Sequence, residues 1–193
     1  MSYTNDRPRI AVVGTTGAGK TVLARCLSRL FGIPHVELDA LNWGPNWTPA
    51  PTEVFRRRVE EATRGNGWVV DGNYGDARDI VWPRATTLVW LDYPLRTVMW
   101  RVVWRTLWRG IRKEELWNGN RERLWTQFFS RESLFLWAIR TYGVRRKTYP
   151  VLLRQPEHAH LKVARLRSLR ETRDWLSGLA AGEAQPYHSP DRG

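Results

Sequence analysis

The sequence predicts an α/β fold, a doubly wound five-stranded parallel sheet flanked by helices, on three observations. Short apolar runs alternate with segments of helical period. The first run meets the first helical segment across a glycine-rich loop, and three of the runs end at the carboxylates Asp39, Asp71 and Asp92. At 193 residues the chain is long enough for one domain with its own core, since domains run to roughly 100–200 residues.

The elements follow in order. Ile10 to Val13 is apolar, short and closed by glycine, which reads as a buried strand. Val22, Leu23, Cys26, Leu27 and Leu30 recur at helical spacing and Gly32 follows where a helix stops, so this face, Cys26 included, is read as core. His35 to Leu38 is the second strand, ending at Asp39, and Asn42 to Pro51 is a loop. A helix starts at Thr52, with Thr52 as its N-cap, Phe55, Val59 and Ala62 on one face and Gly65 at its end. Trp68 to Val70 and Thr87 to Leu91 are the third and fourth strands. From Pro94 to about Gly110 the spacing predicts one helix, with Trp100, Trp104 and Trp108 read as a core stripe beside Arg101, Arg105 and Arg109. Asn118-Gly119-Asn120 breaks the pattern, a helix runs from about Arg131 to Leu153 with a kink at Tyr149-Pro150, and Leu161 to Leu166 is the fifth strand. A helix over Glu171 to Leu179 closes a single domain spanning residues 1–179, and Ala180 to Gly193 reads as a disordered tail.

Charge is unevenly placed. The net charge is +12, and residues 94–154 hold 14 basic and 4 acidic side chains, which accounts for +10 of it, together with 6 of the 12 Trp. Such a segment suits nucleotide phosphate, nucleic acid or an anionic lipid surface, or else a helical pair with Trp facing the core and Arg facing water. The single cysteine excludes disulfide frameworks and multi-cysteine metal sites. With no leader-like apolar segment and no run of about 20 apolar residues, a cytoplasmic location without stable membrane insertion is expected.

The chemistry concentrates in Gly14-Thr15-Thr16-Gly17-Ala18-Gly19-Lys20-Thr21, which fits G-x-x-x-x-G-K-[ST] between a strand and a helix. Glycines let backbone N–H groups curl around phosphate oxygens, and the helix N-terminus adds its dipole. Lys20 is expected on the β and γ phosphates of ATP and the Thr21 hydroxyl on Mg²⁺. Asp39 and Asp71 are the candidates to complete the oxygen shell of the metal. Asp39 can orient Mg²⁺ or take a proton from an attacking hydroxyl, while Asp71, Asn73 and Tyr74 suit an acceptor. Positive charge around a migrating phosphoryl group is expected from Arg101, Arg105, Arg109, Arg112 or Arg121, with Arg105 and Arg109 the catalytic candidates. The histidines show no metal-ligand spacing.

These residues resemble a family of P-loop kinases, the adenylate-kinase-like group that includes bacterial DNA topology modulation proteins. The resemblance lies in Gly14 to Thr21, Leu38-Asp39-Ala40-Leu41-Asn42-Trp43 with Trp47, Val70-Asp71-Gly72-Asn73-Tyr74, Leu91-Asp92-Tyr93-Pro94, Trp100-Arg101-Val102 and Leu166-Arg167-Ser168. It implies a P-loop NTPase core, an acceptor-binding insertion near residues 40–65, a helical Arg- and Trp-rich lid over about 95–154, and ATP-dependent phosphotransfer. Adenylate kinases carry an aromatic residue, a proline and an arginine where this chain has Asn73-Tyr74 after Gly72. Phe55-Arg56 resembles the acceptor-binding arginine segment of shikimate kinases, and Asp39 matches their strand-end carboxylate, which implies a small hydroxylated acceptor held partly by Arg56. Two readings follow: a Mg-dependent kinase acting on a nucleotide or other small acceptor, and a nucleotide-responsive, topology-modulating DNA binder that works through residues 94–154.

Overall fold

The computed structural model describes residues 7–112 and 134–182, with the side chains of 105–112 and 134–138 excepted. β1 (Arg9–Gly14) leads through the glycine loop into α1 (Lys20–Phe31), then β2 (His35–Glu37), α2 (Leu38–Asn42), a 3₁₀ turn at Pro45–Trp47 and α3 (Thr52–Ala62). β3 (Trp68–Asp71) is followed by a 3₁₀ turn at Gly75–Ala77, α4 (Arg78–Val81), β4 (Thr87–Leu91) and α5 (Leu95–Arg112). α6 (Leu134–Leu153), a 3₁₀ turn at Pro156–His158, β5 (Lys162–Leu166) and α7 (Leu169–Ala180) complete the order.

The strands pair in the order β2-β3-β1-β4-β5, all parallel. The chain leaves β1 for β2, returns inward to β3 and then crosses to the far side of β1 at β4. Strand order therefore reverses at β1, and the crevice of an open parallel sheet lies outside that carboxyl end. Val12 stands opposite Asp71 on one side, and Gly14 opposite Leu91 on the other. Both faces of the sheet are covered. Ile10, Val12, Val69 and Val89 pack with Leu23, Ala24 and Leu27 of α1, while Ala11, Val13, Val70 and Leu88 pack with Phe55 and Val59 of α3. Burial on both faces is why these strands read as continuous apolar runs rather than as alternating patterns.

Several elements depart from the sequence reading. Leu38 to Asn42 forms a short helix, so Asp39 sits in a first helical turn rather than at the end of a strand. Pro51, not Thr52, occupies the N-cap of α3, and no side chain caps that end. Cys26 is exposed, because α1 buries the Leu23, Ala24 and Leu27 edge and turns Cys26 outward with Val22 and Leu30. The Trp stripe of α5 is also outward where its side chains are described: Trp100 is 67% and Trp104 54% exposed, their rings stacked 6.2 Å apart. The slim Val98 and Val102 face inward instead, since this helix lies too close to the glycine loop for indole rings. α6 begins at Leu134 among the described residues and carries Pro150 inside its last turn, where the sequence places a kink. The expected interruption of the helical pattern at Asn118-Gly119-Asn120 and residues 183–193 of the expected tail lie outside the described residues, while Ala180 ends α7.

α7 shows how local chemistry sets a boundary. Ser168 takes an extended conformation and its hydroxyl accepts the Glu171 N–H at 3.1 Å, while the Glu171 carboxylate accepts the Arg167 N–H at 2.7 Å. Ser168→Ala removes one of these caps and is expected to lower stability by about 1 kcal/mol, read as a shift in the urea unfolding midpoint.

Candidate active site

The glycine loop turns out of β1 and back into α1 at the reversal point of the sheet. It is pinned by Ala18 N–H donating to the Thr15 carbonyl at 3.0 Å and by Leu23 N–H to the Gly19 carbonyl at 3.1 Å. Gly17 has a φ of +82°, and a Cβ there would collide with the Val102 side chain of α5. Both conformation and space therefore demand glycine at this position. α1 begins at Lys20 with no acidic residue in its first turn, so its N-terminal dipole is left for an anion. The Lys20 amine folds back over the loop and donates to the Thr15 carbonyl at 3.5 Å, and Thr15 and Ala18 are buried while Thr16 and Thr21 are half-buried.

Arg101 of α5 lies across the loop. Its Nε donates to the Gly17 carbonyl at 3.0 Å, and its Nη2 lies 2.6 Å from where a Cβ on Gly19 would stand. The sequence reading names Arg105 and Arg109, not Arg101, as the catalytic arginines. They continue along α5, and their side chains lie outside the described residues, as do all of residues 113–133, including Arg121. No spacing signal could separate Arg101 from its neighbours, because only the packing of Val98 and Val102 sets the rotation of the helix.

The acids Asp39, Asp71 and Asp92 have separate fates. Asp39, half-buried on α2, accepts a 2.6 Å hydrogen bond from the Tyr74 hydroxyl through Oδ1. Burial and the adjacent Asp39 carboxylate hold the Tyr74 phenol far above its usual range, so it remains a donor. Asp71 is buried at the end of β3, its Oδ2 making no hydrogen bond and lying 3.6 Å from His35 Nε2. Asp92 does not join the site: its carboxylate is held by Arg146 at 2.7 Å and Arg165 at 2.6 Å.

The remaining candidates also separate. Arg56 forms a fork with Asp79, at 2.9 and 2.7 Å, and donates to the Asp76 carbonyl at 2.6 Å, so its guanidinium ties α3 to α4 rather than facing an acceptor. That fork holds the Asp79 carboxyl below its usual range. Asn73 turns its amide onto the glycine loop, donating to the Gly14 carbonyl at 2.6 Å and accepting the Gly14 N–H at 3.0 Å. A pocket beside the loop is lined by Leu38, Gly72, Asn73, Tyr74, Arg78 and Tyr149 among others. Arg78 and Tyr149 were not singled out by any sequence signal, and their place there comes from packing around Trp82. No group of three or more His, Cys, Asp and Glu that could hold a metal occurs among the described residues. A Mg²⁺ ion bound with nucleotide needs fewer protein ligands, and the buried, unbonded Asp71 Oδ2 is an oxygen that fits one.

Loop, sheet order and flanking helices together define an α/β fold with a phosphate-loop motif at the reversal point of a parallel sheet. No family model and no curated protein matches the chain. Among solved structures, it is similar to shikimate kinase from Bacteroides thetaiotaomicron, at 16% identity and a TM-score of 0.51 over 90% of this chain and 96% of that one. It is similar likewise to shikimate kinase from Acinetobacter baumannii in complex with shikimate, at 16% identity and a TM-score of 0.52 over 90% of each chain. Likeness at this identity concerns the fold.

Proposed function

We propose that the chain is an adenylate-kinase-like phosphotransferase that moves the γ-phosphoryl group of ATP to a nucleotide or another small hydroxylated acceptor with Mg²⁺. The observation that carries this reading is a complete Gly14 to Thr21 loop at the reversal point of the sheet with the Arg101 guanidinium lying across it. Backbone N–H groups of Thr15, Thr16, Gly17 and Gly19 hold the phosphates, Gly14 and Ala18 shape the loop around them, and Lys20 and Arg101, with Arg105 and Arg109 further along α5, meet the charge that develops on the transferring group. Thr21 with Asp39 or Asp71 would hold Mg²⁺, which neutralises phosphate charge when bound. The acceptor oxygen forms the new bond to phosphorus as the bond to the β-phosphate oxygen breaks, and Asp39, kept in place by Tyr74, takes the hydroxyl proton. In this reading residues 40–65 form the acceptor-binding insertion and 95–154 the lid. The 94–154 segment supports a nucleotide site more than a nucleic-acid surface, since Arg101 and Arg146 turn inward to the loop and to Asp92.

The test is ADP release from Mg-ATP over a panel of nucleoside monophosphates, nucleosides and small hydroxy acids. One acceptor is expected to raise release at least about 100-fold over the acceptor-free rate, the scale of a well-placed acid–base group. A panel without stimulation, in protein that binds ATP, would overturn the transferase assignment. No helix among the described residues is long and apolar enough to cross a membrane.

A further inference from the structure

β1 and β3 pair in register from Arg9 and Trp68 to Val12 and Asp71, and Gly72 N–H makes the last backbone bond of the ladder, to the Val12 carbonyl at 3.3 Å. Beyond that point Gly14 swings away into the phosphate loop with a φ of +152°. Its N–H and C=O then lose any backbone partner on β3. The Asn73 side chain takes over: its Oδ1 accepts the Gly14 N–H at 3.0 Å and its Nδ2 donates to the Gly14 carbonyl at 2.6 Å. A primary amide is the one side-chain group, shared with Gln, that copies a peptide's donor and acceptor side by side. The same Oδ1 accepts a second bond, at 3.2 Å, from the hydroxyl of Tyr149 on α6. Tyr149 is buried against Trp82 and Trp90, with ring centroids 5.8 and 5.4 Å away, so this donor is held in place.

We propose that Asn73 is a positioning residue that sets the phosphate loop at Gly14, and that Tyr149 braces it from α6. The device links the helix that returns from the basic segment to the first residue of the loop. Asn73 and Tyr149 also line the small pocket that Tyr74 and Arg78 line. The consequence for nucleotide affinity rests on the proposed function, whereas the effect on the loop itself does not.

Three variants separate this role from packing. Asn73→Ala removes the amide. Asn73→Asp keeps its shape but sets an oxygen against the Gly14 carbonyl. Tyr149→Phe keeps the ring and loses the hydroxyl. Without nucleotide, hydrogen exchange of the peptide covering residues 12–19 is expected to quicken about tenfold in both Asn73 variants and about threefold in Tyr149→Phe, the range expected when a hydrogen-bonded clasp is lost. ATP affinity should weaken by similar factors. A merely structural contact would lower the unfolding midpoint while leaving loop exchange and affinity of the folded protein unchanged, and that result overturns the proposal. Exchange in Asn73→Asp at the parent rate overturns it as well, since only the donor is missing there. If the parent protein binds no ATP, the proposed function fails while loop exchange still decides the role of Asn73.

Discussion

Lys20→Ala is expected to lower acceptor-dependent ADP release by at least about 10³-fold, or about 4 kcal/mol of transition-state stabilisation. The amine stands at the first residue of α1, where the dipole already favours anions, and its long 3.5 Å contact with Thr15 leaves it able to swing onto phosphate. A positive charge that follows the migrating phosphoryl group acts mainly in the transition state, so kcat should fall more than the acceptor KM rises. Lys20 is half-buried at the start of α1, outside the two apolar clusters of the core, so the urea midpoint should move by less than the loss of turnover implies. Turnover at the parent rate in this variant would remove the loop from the chemistry altogether.

Asp92→Ala is expected to cost about 3 kcal/mol of stability, measured by urea unfolding, with no comparable effect on the chemistry of whatever folded protein remains. The Asp92 side chain is 2% exposed and receives Arg146 at 2.7 Å from α6 and Arg165 at 2.6 Å from β5. Arg165 also lies over the Trp90 ring at 4.3 Å. Removing the carboxylate leaves two guanidiniums facing the space it vacated, with no anion between them. Since they reach water in part, the loss falls at the low end of the 3–5 kcal/mol that breaking a fully buried pair costs. A loss under about 1 kcal/mol would mean that the arginines find water freely and that the pair holds nothing together.

Legibility followed distance along the chain. Strand runs such as Thr87 to Leu91 and helix stops such as Gly32 came from neighbours a few residues apart, and the structure places both as read. The buried face of α1 is narrower than its apolar spacing. Val22, Cys26 and Leu30 fit the spacing as well as Leu23 and Leu27 do, and only contact with the sheet distinguishes the buried edge from the exposed one. For the same reason the indoles of α5 were placed inward: apolar spacing marks a stripe but not the direction it faces. Asp39 was placed at a strand end because a five-residue helix leaves no periodic signal of its own.

Within the candidate site, the phosphate loop was readable because its chemistry is contiguous: glycines, lysine and threonine must follow one another for backbone N–H groups to wrap one phosphate. The partners of the loop were not. Asn73 reaches Gly14 across 59 residues, Tyr149 reaches Asn73 across 76, and Arg101 reaches Gly17 across 84. The sequence by itself thus determined the sheet's strands, the α/β class and the loop that defines the nucleotide end, all products of local spacing and backbone conformation. The tertiary structure alone decided strand order, that Arg101 lies over the loop, and that Asp92 pairs with Arg146 and Arg165 and Arg56 with Asp79. These are choices among chemically equal side chains, and only packing, which sets where each helix face and strand edge points, can tell such residues apart.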